Sequence, residues 1–595
     1  MLMINRSIIR STRSLLVTSA IGSSLPSPSL YNQNSNQRFT TSTINLDKDI
    51  ENNNKWKIPN GFNTGIMVKN SLIKHKKVPL ITENKKNITW YTCGPTVYSN
   101  THIGHARNYM SVDIIQRILT NYFGINITHV MGMTDVDDKI INKSIQEKST
   151  IDEISRKYEY EFINDMKLLG IKPPLFTTRV SEHINDIIEY IGKIQDNQLT
   201  YQSGKSVLFD VGKFGFARYN ILRENNVNTI SDDNLMDKNK KSLEDFVLWK
   251  AYNEKTDIDG NGNPVYWDSP FGKGRPGWHI ECSAMINSIF KDKLDIHSGG
   301  IDLEFPHHQN EIAQCEGHHS TCKDPEYQWA NYFLHIGHLS IQGQKMSKSL
   351  KNFIKIEEFL EKYSASQMRW LCLLHKYNDP LSFSEETMNR CIEKELKFLN
   401  WFKLINIKIQ EKEKEFNISI KRKYKETRQL FEYFNLTKTL VENDLLNDFD
   451  TPNAIERLYL LTKKTNEYID IIDTDLLYHI KDYIDNTLNI FGINCNSIVA
   501  VEKSGENHDT EKKQEFLIDQ LMNVRLELKK IVKESELSKS TKSSLYKISD
   551  QIRDNSLNEI GLRIIDQPSE TKPYTLEWLD KHHLQLIKQQ QKNKK

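Results

Sequence analysis

The feature that most constrains this chain is a change of hydrophobic period near residue 353. Before it, short β-rich runs alternate with helical ones. After it, apolar residues recur every three or four positions over segments too long for strands. In the first half, residues 88–92 read as a strand, 109–123 as a helix and 127–131 as a strand, which is a βαβ unit. The alternation returns with 278–290 as helix, 294–297 as strand, 307–315 as helix and 329–336 as strand. Between these blocks lie amphipathic helices at 158–169 and 184–194, a strand-like stretch at 206–211 and a Lys/Asp/Asn-rich loop at 232–241, together reading as an insertion that splits one sheet. Helical spacing then runs through 396–407, 430–446, 454–471 and 476–491. The expected fold is α/β: a parallel-sheet domain in two halves around an insertion, then an all-α bundle and a small C-terminal module.

The 595 residues exceed what one hydrophobic core serves, since cores stop growing near about 250–300 residues. The expected parts are a leader at 1–46, sheet halves at 47–144 and 256–340 around the insertion at 145–255, a loop and following region at 341–385, the helical domain at 386–500, and a linker with the last module at 501–595. Eighty Lys and Arg against 78 Asp and Glu leave a formal charge of +2, so a polyanionic partner must meet a local basic surface. Seven scattered cysteines do not frame a disulfide-stapled secreted domain, which points to a reducing compartment with thiols free or metal-bound. No run of about 18 apolar residues occurs, so no membrane association is expected. The leader has no Asp or Glu before Asp47, and Arg6, Arg10 and Arg13 lie beside Ile8, Ile9, Leu15 and Leu16. This is the pattern of a mitochondrial presequence; a Ser/Asn-rich tail on a cytoplasmic protein is the alternative.

Two motifs point to nucleotide chemistry. His102-Ile-Gly-His105 follows a β-rich run and the Gly94-Pro95 turn and opens a helix, with Asn100 or Thr101 available as N-cap. Unpaired N–H groups at a helix start favour phosphate, Gly104 lets a nucleotide approach the backbone, and both histidines can donate to phosphate oxygens. The same letters recur at Leu334-His-Ile-Gly-His338, but in an apolar stretch without the turn, so that copy reads as strand. Lys345-Met-Ser-Lys-Ser349 lies in a loop after Gly343, where flexible lysines can stabilise charge on a triphosphate; a solvated charged loop is the plainer reading. In this order and separation the two motifs resemble the signatures of class I aminoacyl-tRNA synthetases, which carry a Rossmann-type catalytic sheet.

A third set narrows the amino acid: Cys93 in Tyr91-Thr-Cys-Gly-Pro-Thr-Val-Tyr98, Cys282 in Gly277-Trp-His-Ile-Glu-Cys-Ser283, and Phe305-Pro-His-His-Gln-Asn-Glu311. His307 and Glu311, four apart, share a helix face, and with two thiolates they make four ligands suited to tetrahedral zinc, although spacing alone leaves buried unliganded cysteine open. His308 is expected to point off that face. With Thr134-Asp-Val-Asp-Asp-Lys-Ile140, Asp245-Phe-Val-Leu-Trp-Lys250, Gly274-Arg-Pro-Gly277 and Asp295-Ile-His-Ser-Gly-Gly300, these segments resemble cysteinyl-tRNA synthetase, mitochondrial form, over most of residues 68–495.

The resemblance implies zinc on Cys93, Cys282, His307 and Glu311, direct binding of the substrate thiol to it, and ATP with Mg²⁺ near Thr96, His102, Gly104, His105 and Lys348. It also implies catalytic roles for His102, His105, Lys345 and Lys348. Cys93, Trp278 and His297 are expected at the amino-acid pocket, Trp278 serving equally well as core. The implied partners are L-cysteine, ATP and tRNA(Cys), the implied acceptor is the 2′-hydroxyl of the terminal adenosine, and a monomer is expected. Anticodon reading is assigned to the helical domain, where Asn447-Asp-Phe-Asp-Thr-Pro-Asn453 resembles a family segment. Gln309 stands where many relatives carry Glu, and residues 567–574 depart from the usual ending, which leaves anticodon discrimination by the last module in doubt. Two other readings are weighed: an ATP-dependent ligase joining cysteine to a small amine, and an inactive tRNA-binding protein. The long helical region argues against the first and the intact motifs against the second.

Overall fold

The structure is a computed structural model that describes residues 56–84, 87–223, 240–319, 327–345, 353–414, 424–472, 474–495, 521–533, 537–551, 562–566 and 574–578. The leader lies outside the described residues. Five strands form the central sheet: β1 (Asn87–Thr96), β2 (Asn126–Thr134), β3 (Phe176–Arg179), β4 (Leu294–Gly300) and β5 (Ala330–Ile336). They are all parallel in the order β5-β4-β1-β2-β3. Ile88, Trp90, Val130, Ile296 and Phe333 are buried, the near-continuous apolar run of strands covered on both faces. Helix α1 (Ile103–Arg117) connects β1 to β2, and α2 (Ile184–Asp196) packs on α3 (Trp278–Phe290) and α4 (Gln309–His319). Chain order reverses between β1 and β4, so a ligand crevice is expected beyond their carboxyl ends.

Two boundaries differ from the sequence reading. The edge strand β3 lies inside the span read as insertion (145–255), so the first half of the sheet runs past residue 144. Only Thr178 of its four residues is buried, and so short and exposed an edge strand leaves no apolar run to detect. The inserted sheet is a separate four-stranded antiparallel unit (Thr200–Ser203, Ser206–Phe209, Phe246–Ala251, Gly274–Pro276) that reaches past residue 255.

The helical half follows the expected period: α5 (Ala365–Leu373), α6 (Glu385–Lys414), α7 (Tyr424–Leu446), α8 (Thr451–Tyr468) and α9 (Thr474–Ile490). Within the 447–453 segment, Asp448, Phe449, Asp450 and Thr451 form a buried joint, while Asn447 and Asn453 at its ends are exposed. Asp448 accepts from the Lys69 backbone N–H at 2.9 Å, the Tyr377 hydroxyl at 2.8 Å and Asn378 Nδ2 at 3.1 Å, while Phe449 is buried. Asp450 caps α8, and Thr451 Oγ1 donates to the Leu373 carbonyl. A buried carboxylate needs such partners, and here they come from two distant stretches of chain, at 69 and at 377–378. In the last module, Leu562–Asp566 pairs antiparallel with Tyr574–Trp578.

Candidate metal and substrate site

The ends of β1 and β4 at the switch point supply the floor of the site. Register places Tyr91 opposite His297 and Cys93 opposite Gly132. Helix α3 brings Cys282, and the turn entering α4 brings His307, with Glu311 one turn later. Four distant pieces of chain thus converge. Cys93 Sγ lies 3.8 Å from Cys282 Sγ and 3.7 Å from Glu311 Oε1, and His307 Nε2 lies 3.0 Å from Glu311 Oε1. One donor atom from each of the four falls within 4.8 Å of the others, and all four side chains are buried. Bonds of about 2.3 Å to sulfur and about 2.1 Å to oxygen at tetrahedral angles would space S and S by about 3.8 Å and S and O by about 3.6 Å. The donor set therefore fits one small tetrahedral cation.

The electrostatics agree. The hydrogen bond from the Cys93 thiol holds the Cys282 thiol down at about 6 against its burial, while burial and the neighbouring sulfur push Cys93 well up. Burial raises the Glu311 carboxyl, but His297 and His307 outweigh it and hold it at about 2. Burial likewise opposes charge on His307, yet Glu311 and Cys282 lift it to about 10. Two sulfurs this close cannot both be thiolates without a cation between them. Neighbours orient the set: His297 donates from Nε2 to Glu311 Oε2 at 2.8 Å, leaving Oε1 for a ligand, and His279 Nδ1 lies 2.9 Å from His307 Nδ1.

His308 does not point away as expected. Its Nε2 lies 3.4 Å from Cys93 Sγ, and Cys93, His297, His308 and Glu311 form a second metal-competent group. The reason is local winding: Phe305 has non-helical angles, so 304–308 enter α4 through a wide turn that aims both histidines inward. His308 Nδ1 shares a hydrogen bond of 2.7 Å with His335 Nε2, and His335 Nδ1 one of 2.6 Å with Ser71 Oγ. Ser71 and His335 were not among the expected site residues. The available signal was a histidine in the buried Tyr332–Ile336 run of β5, inside the motif copy read as plain strand.

Trp278, at the start of α3, stacks on His307 with centroids 4.6 Å apart, and His297 is fully buried with Nδ1 3.2 Å from the Tyr91 carbonyl. Past the same end of β1, beyond Thr96, His102 itself caps α1, in place of the expected Asn100 or Thr101. Its Nδ1 accepts from Gly104 N at 3.2 Å, and His105 Nδ1 accepts from His102 N at 3.4 Å, with the rings stacked 3.8 Å apart. Asn100 is turned to Glu161 instead, and the Thr101 carbonyl takes the Ile356 N–H. Ile103 N donates to the Ile354 carbonyl, so the chain emerging from the lysine-rich loop docks on the start of α1. The Lys345 backbone pairs with Ser340; the Lys345 side chain and Lys348 lie outside the described residues.

The family described as tRNA synthetases class I (C) catalytic domain matches residues 80–393. A probable mitochondrial cysteine–tRNA ligase of Dictyostelium discoideum is 56% identical over 571 residues, covering 94% of this chain and 97% of that relative. A cytoplasmic cysteine–tRNA ligase of the same organism is 37% identical over 550 residues, covering 88% and 79%. Among solved structures, a LeuRS–tRNA–LeuAMS ternary complex of Agrobacterium radiobacter K84 aligns with a TM-score of 0.50 at 11% identity over 68% of this chain and 84% of that one, a likeness of fold. With a four-ligand buried cluster at the switch point of a parallel sheet and relatives matching nearly end to end, the chain belongs to the cysteine–tRNA ligases among the class I synthetases.

Proposed function

We propose that this chain activates L-cysteine with ATP, forming cysteinyl-adenylate and pyrophosphate, and transfers cysteine to the 3′-terminal adenosine of tRNA(Cys) for mitochondrial translation. The observation that carries the reading is the buried Cys93, Cys282, His307 and Glu311 quartet at the end of β1, nine residues before His102. Zinc held by these four supplies a soft Lewis acid for which thiolate sulfur outcompetes hydroxyl oxygen, a discrimination against serine that shape alone does not give. Glu311 is oriented for this by His297, and Trp278 over His307 walls the amino-acid side of the crevice. The cysteine carboxylate attacks the α-phosphate in line. His102 and His105, fixed by their mutual capping, together with Lys345 and Lys348 stabilise the charge that develops on the phosphates, with Mg²⁺ accompanying ATP. Thr96 and Gly104 border the nucleotide. The 2′-hydroxyl of the terminal adenosine then takes the aminoacyl group. Residues 1–46 direct the chain to the mitochondrial matrix, where it acts as a monomer.

The test is pyrophosphate exchange by the chain lacking residues 1–46. Exchange that depends on cysteine and fails with serine, in protein carrying one zinc per chain, is the expected result. Equal exchange with serine, or none with cysteine and zinc both present, overturns the reading.

A further inference from the structure

On the bundle, Tyr459 of α8 gathers three ammonium groups. Lys394 Nζ lies 4.2 Å, Lys463 Nζ 4.6 Å and Lys397 Nζ 5.6 Å from the ring centroid, two from α6 and one from α8. Beside it, a crevice of about 280 Å³ runs between the turn at Leu374-His375 and α6, bordered by Arg390, Lys394 and Lys397 against Glu393. The chain as a whole carries only +2, so this concentration of cations is local.

The carboxylates nearby do not consume it. Arg390 meets Glu386 at 3.7 Å and Lys397 meets Glu393 at 3.9 Å, all four side chains well exposed, which makes these pairs weak and screened. Lys394 alone is tightly paired, with Glu456 at 2.7 Å. Among the described residues no carboxylate lies within 4 Å of the Lys463 ammonium. Like charges held around one ring repel, and the ring's negative face offsets only part of that repulsion. A line of phosphates along the crevice would supply the missing counter-charge. The ring already faces ammonium groups, so the surface suits a sugar–phosphate backbone better than a stacked base.

We infer that the crevice lined by Arg390 and Lys397 and the Tyr459–Lys463 cluster at its end form a docking surface for the phosphate backbone of a folded RNA. This rests on the proposed function, in which that RNA is the tRNA substrate, and adds where its backbone lies. Lys397 and Lys463 carry the contact; Lys394 mainly holds Tyr459 and Glu456 in place.

The experiment uses the full chain and the double variant K397Q/K463Q, with K397R/K463R as the charge-preserving control. It measures KM for tRNA(Cys) transcript as a function of salt, alongside cysteine-dependent pyrophosphate exchange without RNA. If each lysine neutralises one phosphate, the slope of log affinity against log salt falls by roughly 0.7–0.9 per lysine, and KM for the transcript rises roughly 25- to 60-fold at 0.1 M salt. Exchange stays within twofold of wild type, and the arginine pair restores KM and slope. A KM within threefold of wild type with an unchanged slope overturns the surface, as does a loss that K397R/K463R fails to restore. Failure of wild-type protein to charge the transcript while exchanging with cysteine would instead overturn the proposed function.

Discussion

Replacing Arg369 by Met tests what holds the catalytic half to the bundle. Arg369, on α5, is 3% exposed and places Nη1 2.6 Å from Asp113 Oδ2 on α1, whose side chain is 2% exposed. Its other hydrogens reach the Gly170 carbonyl at 2.9 Å and the Phe491 carbonyl, just past α9, at 3.4 Å. Asp113 also accepts from Arg117 Nε at 2.7 Å and the Lys172 N–H at 3.1 Å. Met fills much of the volume but takes a guanidinium from a buried carboxylate and the donor from the Phe491 carbonyl, while Gly170 keeps Arg117 Nη2 at 3.1 Å; breaking a buried pair on one side costs about 3–5 kcal/mol. Arg117 still faces Asp113, which favours the lower end, about 3 kcal/mol. Asp113→Asn with Arg369→Met leaves the 15% exposed Arg117 as the one charge without its partner, so the double variant should cost less than the sum of the two single ones, a coupling of about 1–3 kcal/mol. Urea unfolding followed by tryptophan fluorescence reads both, because Trp370 is fully buried beside Arg369. A single variant within about 1 kcal/mol of wild type, or strictly additive costs, refutes the reasoning.

Three further outcomes follow from buried groups. Cys282→Ser should lose metal and cysteine-dependent exchange together; normal metal content by mass spectrometry refutes its role as ligand. Gly132→Ala should destabilise by about 1–3 kcal/mol through overpacking, since its Cβ would collide with the Tyr91 hydroxyl and with little else that is rigid. Tyr91→Phe in the same chain should recover part of this in a thermal melt, and no recovery places the clash elsewhere. His129, buried against Thr92 at 3.0 Å, is pushed down to about 4 by desolvation, against an opposing pull from Asp113. The unfolded chain therefore takes up this proton below about pH 6.5, while the folded chain resists until about pH 4. Its contribution is intact above the first value and is lost as pH falls, by about 3 kcal/mol across the window. His129→Gln should flatten that slope in urea titrations at pH 7 and pH 4.5, and an unchanged slope counts against the assignment.

The sheet and bundle were legible because their signals are long: Ile88 to Thr92 with Ile127 to Met131 cannot be mistaken for helix, nor α8 for strand. Phe176–Arg179 was not, because four residues of which only Thr178 is buried carry no period, and its place beside β2 is set by tertiary pairing. The quartet was legible through the family resemblance, since residue types and one i, i+4 spacing left buried unliganded cysteine open. The orientation of His308 was not, because a sequence periodicity assumes a regular helix and the wide turn at 304–308 breaks that assumption. His335 was obscured for the opposite reason. A strand buried on both faces offers no polar side to turn outward, so a histidine within it had to find partners inside, and Ser71, 264 residues away in sequence, cannot be paired with it by local reasoning. The 447–453 segment shows the same limit: Asp448 looks as solvent-facing as the exposed Asn447 and Asn453 until Lys69 and Tyr377 are seen to satisfy it.

Burial and neighbouring imidazoles keep His279, His308 and His335 well below the usual histidine range, so these rings surround the quartet as neutral groups. Near pH 7.5 in metal-stripped protein, Cys282 and Glu311 have already lost their protons, while Cys93 and His307 keep theirs. A dication accepted by all four must therefore displace about two protons, since each ligand binds deprotonated. Zinc titration by calorimetry in buffers of differing ionisation enthalpy measures that number as the slope of observed heat against buffer heat. A slope near two is expected. A slope near zero would mean that the two sulfurs and the imidazole are already deprotonated before the metal arrives, which the close approach of Cys93 to Cys282 in a water-excluded site does not permit.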